Sequence, residues 1–114
     1  MTSFEDLDVW RRSCDLAVQV CGAFRSCKDY GLRDQVSRSA VSVPSNIAER
    51  AERLSRKEFA QFLGYAKGSA GELRTQVIIA ARLGHISEQH SREWQRELRE
   101  ISAMIHGLAK SLTK

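Results

Sequence analysis

Arg38, Ser42, Asn46 and Glu49 recur at steps of three and four through a stretch that otherwise reads as helix. Side chains of these types can hold a ligand, or they can satisfy one another across a helix contact. At about 100° per residue, Arg38, Ser42, Ser45 and Glu49 are displaced by roughly 100–160° from an apolar line of Leu32, Val36, Val43, Ile47, Ala51 and Leu54. A solvated face would carry Lys, Glu and Gln, so serines and an asparagine point to close helix contact. Ser69, Glu72 and Gln76 on a later helix are the expected partners. Two readings follow: a buried or half-buried network that sets helix register, with Arg38 paired to Glu72 or Glu49, or a ligand pocket lined by Arg, Asn and Glu. The residue types favour register, because polar groups near a core need partners with or without a ligand.

A second cluster, Arg50, Arg53, Arg56 and Lys57, is interleaved with Glu49, Glu52 and Glu58. It reads either as i,i+4 pairing on exposed helix ends or as an arginine rim for phosphates, whose oxygens match the planar guanidinium fork. Other chemistry finds little support. None of His85, His90 and His106 follows an acid by three residues, so the Glu-x-x-His pairs of two-metal bundles are missing. Cys14, Cys21 and Cys27 form no C-x-x-C and lie without a basic neighbour to activate them. No Gly-rich phosphate loop occurs. We expect no enzyme, no metal and no cofactor.

Composition narrows the class. The 114 residues suffice for one domain, 1–114, with a single core that needs no staples. Hydrophobic residues make up 42% and aromatic ones 7%, which predicts an aliphatic core. One proline and seven glycines leave little material for the turns of an all-β fold. The acidic start and the lack of any long apolar run predict a cytoplasmic protein with no membrane contact. Net charge is +4, concentrated in residues 33–82, which hold nine Lys/Arg against five Asp/Glu. That balance fits a solvated surface as readily as a nucleic-acid partner.

Four amphipathic segments must position these residues. The first spans about Asp8 to Phe24, with an apolar arc approaching half the circumference, which predicts a second buried contact beyond the bundle core. The second covers about Leu32 to Arg53 and should kink at Pro44, where a backbone hydrogen bond is missing. Ser55-Arg-Lys-Glu58 is a capping box opening the third, about Arg56 to Leu83, which Gly84 closes. Gly64, Gly68 and Gly71 inside it each cost roughly 1 kcal/mol against alanine, a loss that makes sense if another backbone approaches closely. The fourth runs from after Ser87 to about Leu112. The predicted fold is all-α, an antiparallel up-and-down four-helix bundle.

Several stretches resemble the four-helix-bundle proteins named after the intervening sequences of 23S ribosomal RNA. They are Phe4-Glu-Asp-Leu7 with Val9-Trp10, the run from Leu32 to Glu49 containing Ser45-Asn-Ile-Ala-Glu49, Ser55-Arg-Lys-Glu-Phe59, Ala66-Lys-Gly-Ser69, Glu72 and Leu83-Gly84. Arg50 stands where that family commonly has glycine. The resemblance implies an antiparallel bundle that assembles as a ring-like homopentamer. It also implies kinship with the accessory variability determinant of diversity-generating retroelements, a basic pentameric bundle that engages nucleic acid and a reverse transcriptase. The expectation for this chain is a non-enzymatic oligomeric scaffold binding RNA or DNA through phosphates. The alternative is a structural or protein-interaction module without nucleic-acid binding.

Overall fold

A computed structural model describes residues 4–49 and 55–112. A short 3-10 turn, Phe4–Asp6, precedes four helices: α1 (Asp8–Phe24), α2 (Tyr30–Ala48), α3 (Arg56–Arg82) and α4 (Glu88–Ser111). No strand occurs among the described residues. The helices pack as a four-helix bundle in which consecutive helices are close neighbours and the α1–α4 seam is the thinnest. Ala51 and Leu54 of the expected apolar line lie outside the described residues.

Local chemistry explains the helix boundaries. Asp29 caps α2, its Oδ1 accepting from the Leu32 backbone N–H at 3.2 Å. This starts α2 two residues before the expected Leu32, because aspartate supplies the acceptor that the free first-turn N–H groups require. Ser55 and Glu58 form the expected capping box, with both bonds at 3.2 Å. Ser87 caps α4 through the His90 N–H at 3.0 Å. At the end of α3, Gly84 adopts φ +81°. Its N–H reaches Ala81 O at 3.0 Å and the His85 N–H reaches Ala80 O at 2.9 Å, the paired bonds of a Schellman motif. Pro44 is buried inside α2, which runs unbroken past it.

The core is aliphatic, as the composition predicts. Val20, Phe24, Val36, Ile47, Leu63, Val77 and Ile101 are fully buried. Ala66, Ala70 and Ala80 are buried too, and let the neighbouring helices approach α3 along its inner face. The glycines of α3 face away from the core. Gly64, Gly68 and Gly71 are exposed, and a Cβ on any of them would meet nothing within 4 Å. No backbone among the described residues approaches them, because their helical positions place them on the side of α3 away from its buried alanines.

Candidate functional site: a polar seam, a basic rim and an apolar groove

The α2–α3 seam carries the polar network. Ser42 Oγ and Ser69 Oγ lie 2.9 Å apart across the two helices. Asn46 Nδ2 donates to Ser42 O at 2.8 Å and to Ser42 Oγ at 3.0 Å. Three of the expected residues are therefore brought together, all half-buried. Beside them lies a groove of about 280 Å³ lined by Gln35, Arg38, Ser39, Glu72 and Gln76. Gln76 Oε1 is buried there without a hydrogen-bond partner among the described residues.

Arg38 departs from expectation. It is exposed and pairs with neither Glu72 nor Glu49 among the described residues; both acids are exposed as well. The reason is angular. Relative to Val43, Ser42 lies about 100° around the axis and Arg38 about 140°, so the serine reaches α3 while the arginine points past it. The register contact is a neutral hydroxyl pair, with no buried charge behind it among the described residues.

At the rim, Arg56 and Lys57 are exposed in the first turn of α3 and are without a hydrogen-bond or ion-pair partner among the described residues. Arg50 and Arg53 lie outside the described residues. Glu58 takes part in the capping box with Ser55.

An apolar groove of about 450 Å³ opens between α1 and α2, lined by Phe4, Trp10, Cys14, Ala17, Val18, Val41, Pro44, Ser45 and Ala48. Val18 is 73% exposed and Val41 51%. Trp10 and Ala17 of the α1 wall were legible in the wide apolar arc, while Cys14 and Val18 were not. The α2 wall was missed, although Val41, Pro44 and Ala48 recur at three- and four-residue steps. Cys14 lines this groove, and burial together with the neighbouring Asp15 charge pushes its thiol up, favouring the protonated form.

A further cluster joins residues distant in sequence. Arg12 Nε donates to Glu97 Oε2 at 2.9 Å, and its Nη2 reaches Glu97 Oε1 and, at 2.8 Å, Glu100 Oε1. These bonds, Glu97 first, raise the Arg12 pKa against a smaller opposing effect of burial. Trp94 Nε1 adds a 3.4 Å bond to Gln19 Oε1. The histidines serve separate places: His85 lies 3.6 Å from Asp29, His90 stacks on Trp94, and His106 meets Lys67 at 3.4 Å.

Comparison with known proteins agrees with this architecture. The sequence model of the 23S rRNA-intervening sequence protein family matches residues 5–107. No curated protein matches the chain by sequence. A crystal structure at 1.70 Å of a protein with unknown function from the S23 ribosomal protein family of Bacteroides thetaiotaomicron has a similar fold. It superposes with a TM-score of 0.81 at 22% identity, covering 90% of this chain and 95% of that one. No helix among the described residues is long and apolar enough to cross a membrane.

Proposed function

The chain belongs to the 23S rRNA-intervening sequence protein family, and from that premise we propose a non-enzymatic, homo-oligomeric four-helix scaffold that binds RNA or DNA through phosphate contacts. The observation that carries this reading is the open apolar groove between α1 and α2. Apolar surface left in water forgoes roughly 25 cal/mol per Å², so a second chain gains by covering it. The exposed glycines of α3 are flat ground on which another helix can lie close. The groove and the glycine face are different surfaces, so pairing one with the other makes a head-to-tail contact. Such contacts close into a ring when the rotation between copies allows it, and five is the ring size implied by the sequence resemblance.

The nucleic-acid half rests on charge. At +4 per chain, five chains carry about +20, which acts over a Debye length of roughly 8–10 Å. Arg56 and Lys57 stand at the positive end of α3, where cations oppose the helix dipole. Helix stability does not call for them, and a phosphate partner does.

Light scattering after size exclusion tests the assembly. Monomer alone at roughly tens of micromolar, where a micromolar complex would populate, removes it. Gel-shift titrations with structured RNA, single strands and duplex DNA test the second half. Affinity should depend little on base sequence and fall linearly with log salt, and Arg56→Gln/Lys57→Gln should flatten that slope. No shift at about 50 mM salt, where phosphate contacts are strong, leaves an interaction scaffold without nucleic acid.

A further inference from the structure

A second basic feature lies near the α1–α2 joint, toward the other end of α2 from the α3 rim. Val18, Cys21, Gly22, Arg25, Arg33 and Ser37 line a cleft of about 450 Å³ between the last turns of α1 and the first turns of α2. No carboxylate is among these residues. Arg33 is held in place by its neighbours: its Nε donates to Asp34 Oδ1 at 3.3 Å, and its Cζ sits 4.9 Å from the centre of the Tyr30 ring. Both restraints leave the two Nη groups of Arg33 without a partner among the described residues. The Arg25 side chain and the Ser37 hydroxyl have none either. The nearest acids are engaged: Asp34 with Arg33, and Asp29 with the Leu32 N–H and His85. Gly22 contributes no side chain to fill the space.

We propose that this cleft binds a phosphoryl group. Two guanidinium groups and a hydroxyl line it, Arg25 just past the end of α1 and Arg33 and Ser37 on α2, and the guanidinium fork matches the oxygens of a phosphoryl group. Arg33 is pre-oriented by Asp34 and Tyr30, so little side-chain freedom is lost when its remaining donors engage. The negative end of the α1 dipole disfavours an anion, so both arginines are required. This deepens the proposed nucleic-acid function by naming a phosphate contact away from the α3 rim, and it can fail independently of that function.

The test is isothermal titration of the full chain with inorganic pyrophosphate at constant ionic strength, with circular dichroism to check folding. Wild type should bind, and Arg25→Gln and Arg33→Gln should each weaken binding about tenfold, one charge-assisted contact's worth. Arg33→Lys should fail to restore it, because an ammonium lacks the fork. Arg25 is exposed, so its variant retains the fold even if Arg33 variants do not. Absence of wild-type binding, or unchanged binding in Arg25→Gln, overturns the site. Oligonucleotides with and without a 5′-phosphate then separate the sources. Tighter binding of the phosphorylated strand, lost in Arg25→Gln, supports a strand end. Equal binding of the two strands with pyrophosphate still bound supports a free phosphate compound. Pyrophosphate binding without any strand binding keeps the site and removes the nucleic-acid function; strand binding without a pyrophosphate response does the reverse.

Discussion

At the scale of single residues, the polar seam works through neutral hydrogen bonds. Ser42 is its centre, since both Ser69 and Asn46 bond to it. Ser42→Ala strips the partner from Ser69 and one of two from Asn46, and should cost about 1–2 kcal/mol in urea denaturation. Arg38→Met, by contrast, should change stability by less than about 0.5 kcal/mol, as an exposed substitution does. A large loss in Arg38→Met would show that the arginine is buried by something outside this chain. The sequence made the polar row legible but not which members turn inward. A difference of some 40° between Ser42 and Arg38 decides burial, and it depends on where α3 sits beside α2. Arg12 was illegible for another reason: its partners lie 85 and 88 residues away, beyond any periodic signal.

At the scale of elements, three of the four helices were legible to within a residue or two because caps are local, while α2 runs Tyr30–Ala48 where about Leu32 to Arg53 was expected. The α1 bounds match expectation, and Ser55, Ser87 and Gly84 all do the work their types suggest. The interior glycines of α3 were legible as missing side chains, but sequence does not show what lies opposite them. Their exposure makes a sharp prediction. Gly64→Ala, Gly68→Ala and Gly71→Ala meet no neighbour, so each should stabilise the isolated helical fold by about 0.5–1 kcal/mol. If the proposed ring packs a second helix there, the same variants should raise the melting temperature of the monomer while weakening assembly by light scattering. A rise in stability with assembly untouched would move the contact off α3.

At the scale of the whole molecule, packing is uneven. The α2–α3 and α3–α4 seams are extensive and the α1–α4 seam is slight, bridged by the Arg12 cluster and the Trp94–Gln19 bond. Surface charge pairs of this kind contribute only about 0–1 kcal/mol each, so the bridge is easily parted. The bundle is thus held at its middle and fastened lightly where its first and last helices meet. The consequence is an order of opening. Amides of α2 and α3 should exchange with deuterium only through global unfolding, while those of α1 exchange earlier, as a separate cooperative unit. Arg12→Gln should quicken α1 exchange and leave α3 unchanged, as read by mass spectrometry of peptides; uniform exchange across all four helices would contradict it. A helix that loosens in this way uncovers, each time it swings out, the inner face against which a neighbour's first helix can settle, so the weakest seam is also the place where two copies can trade parts.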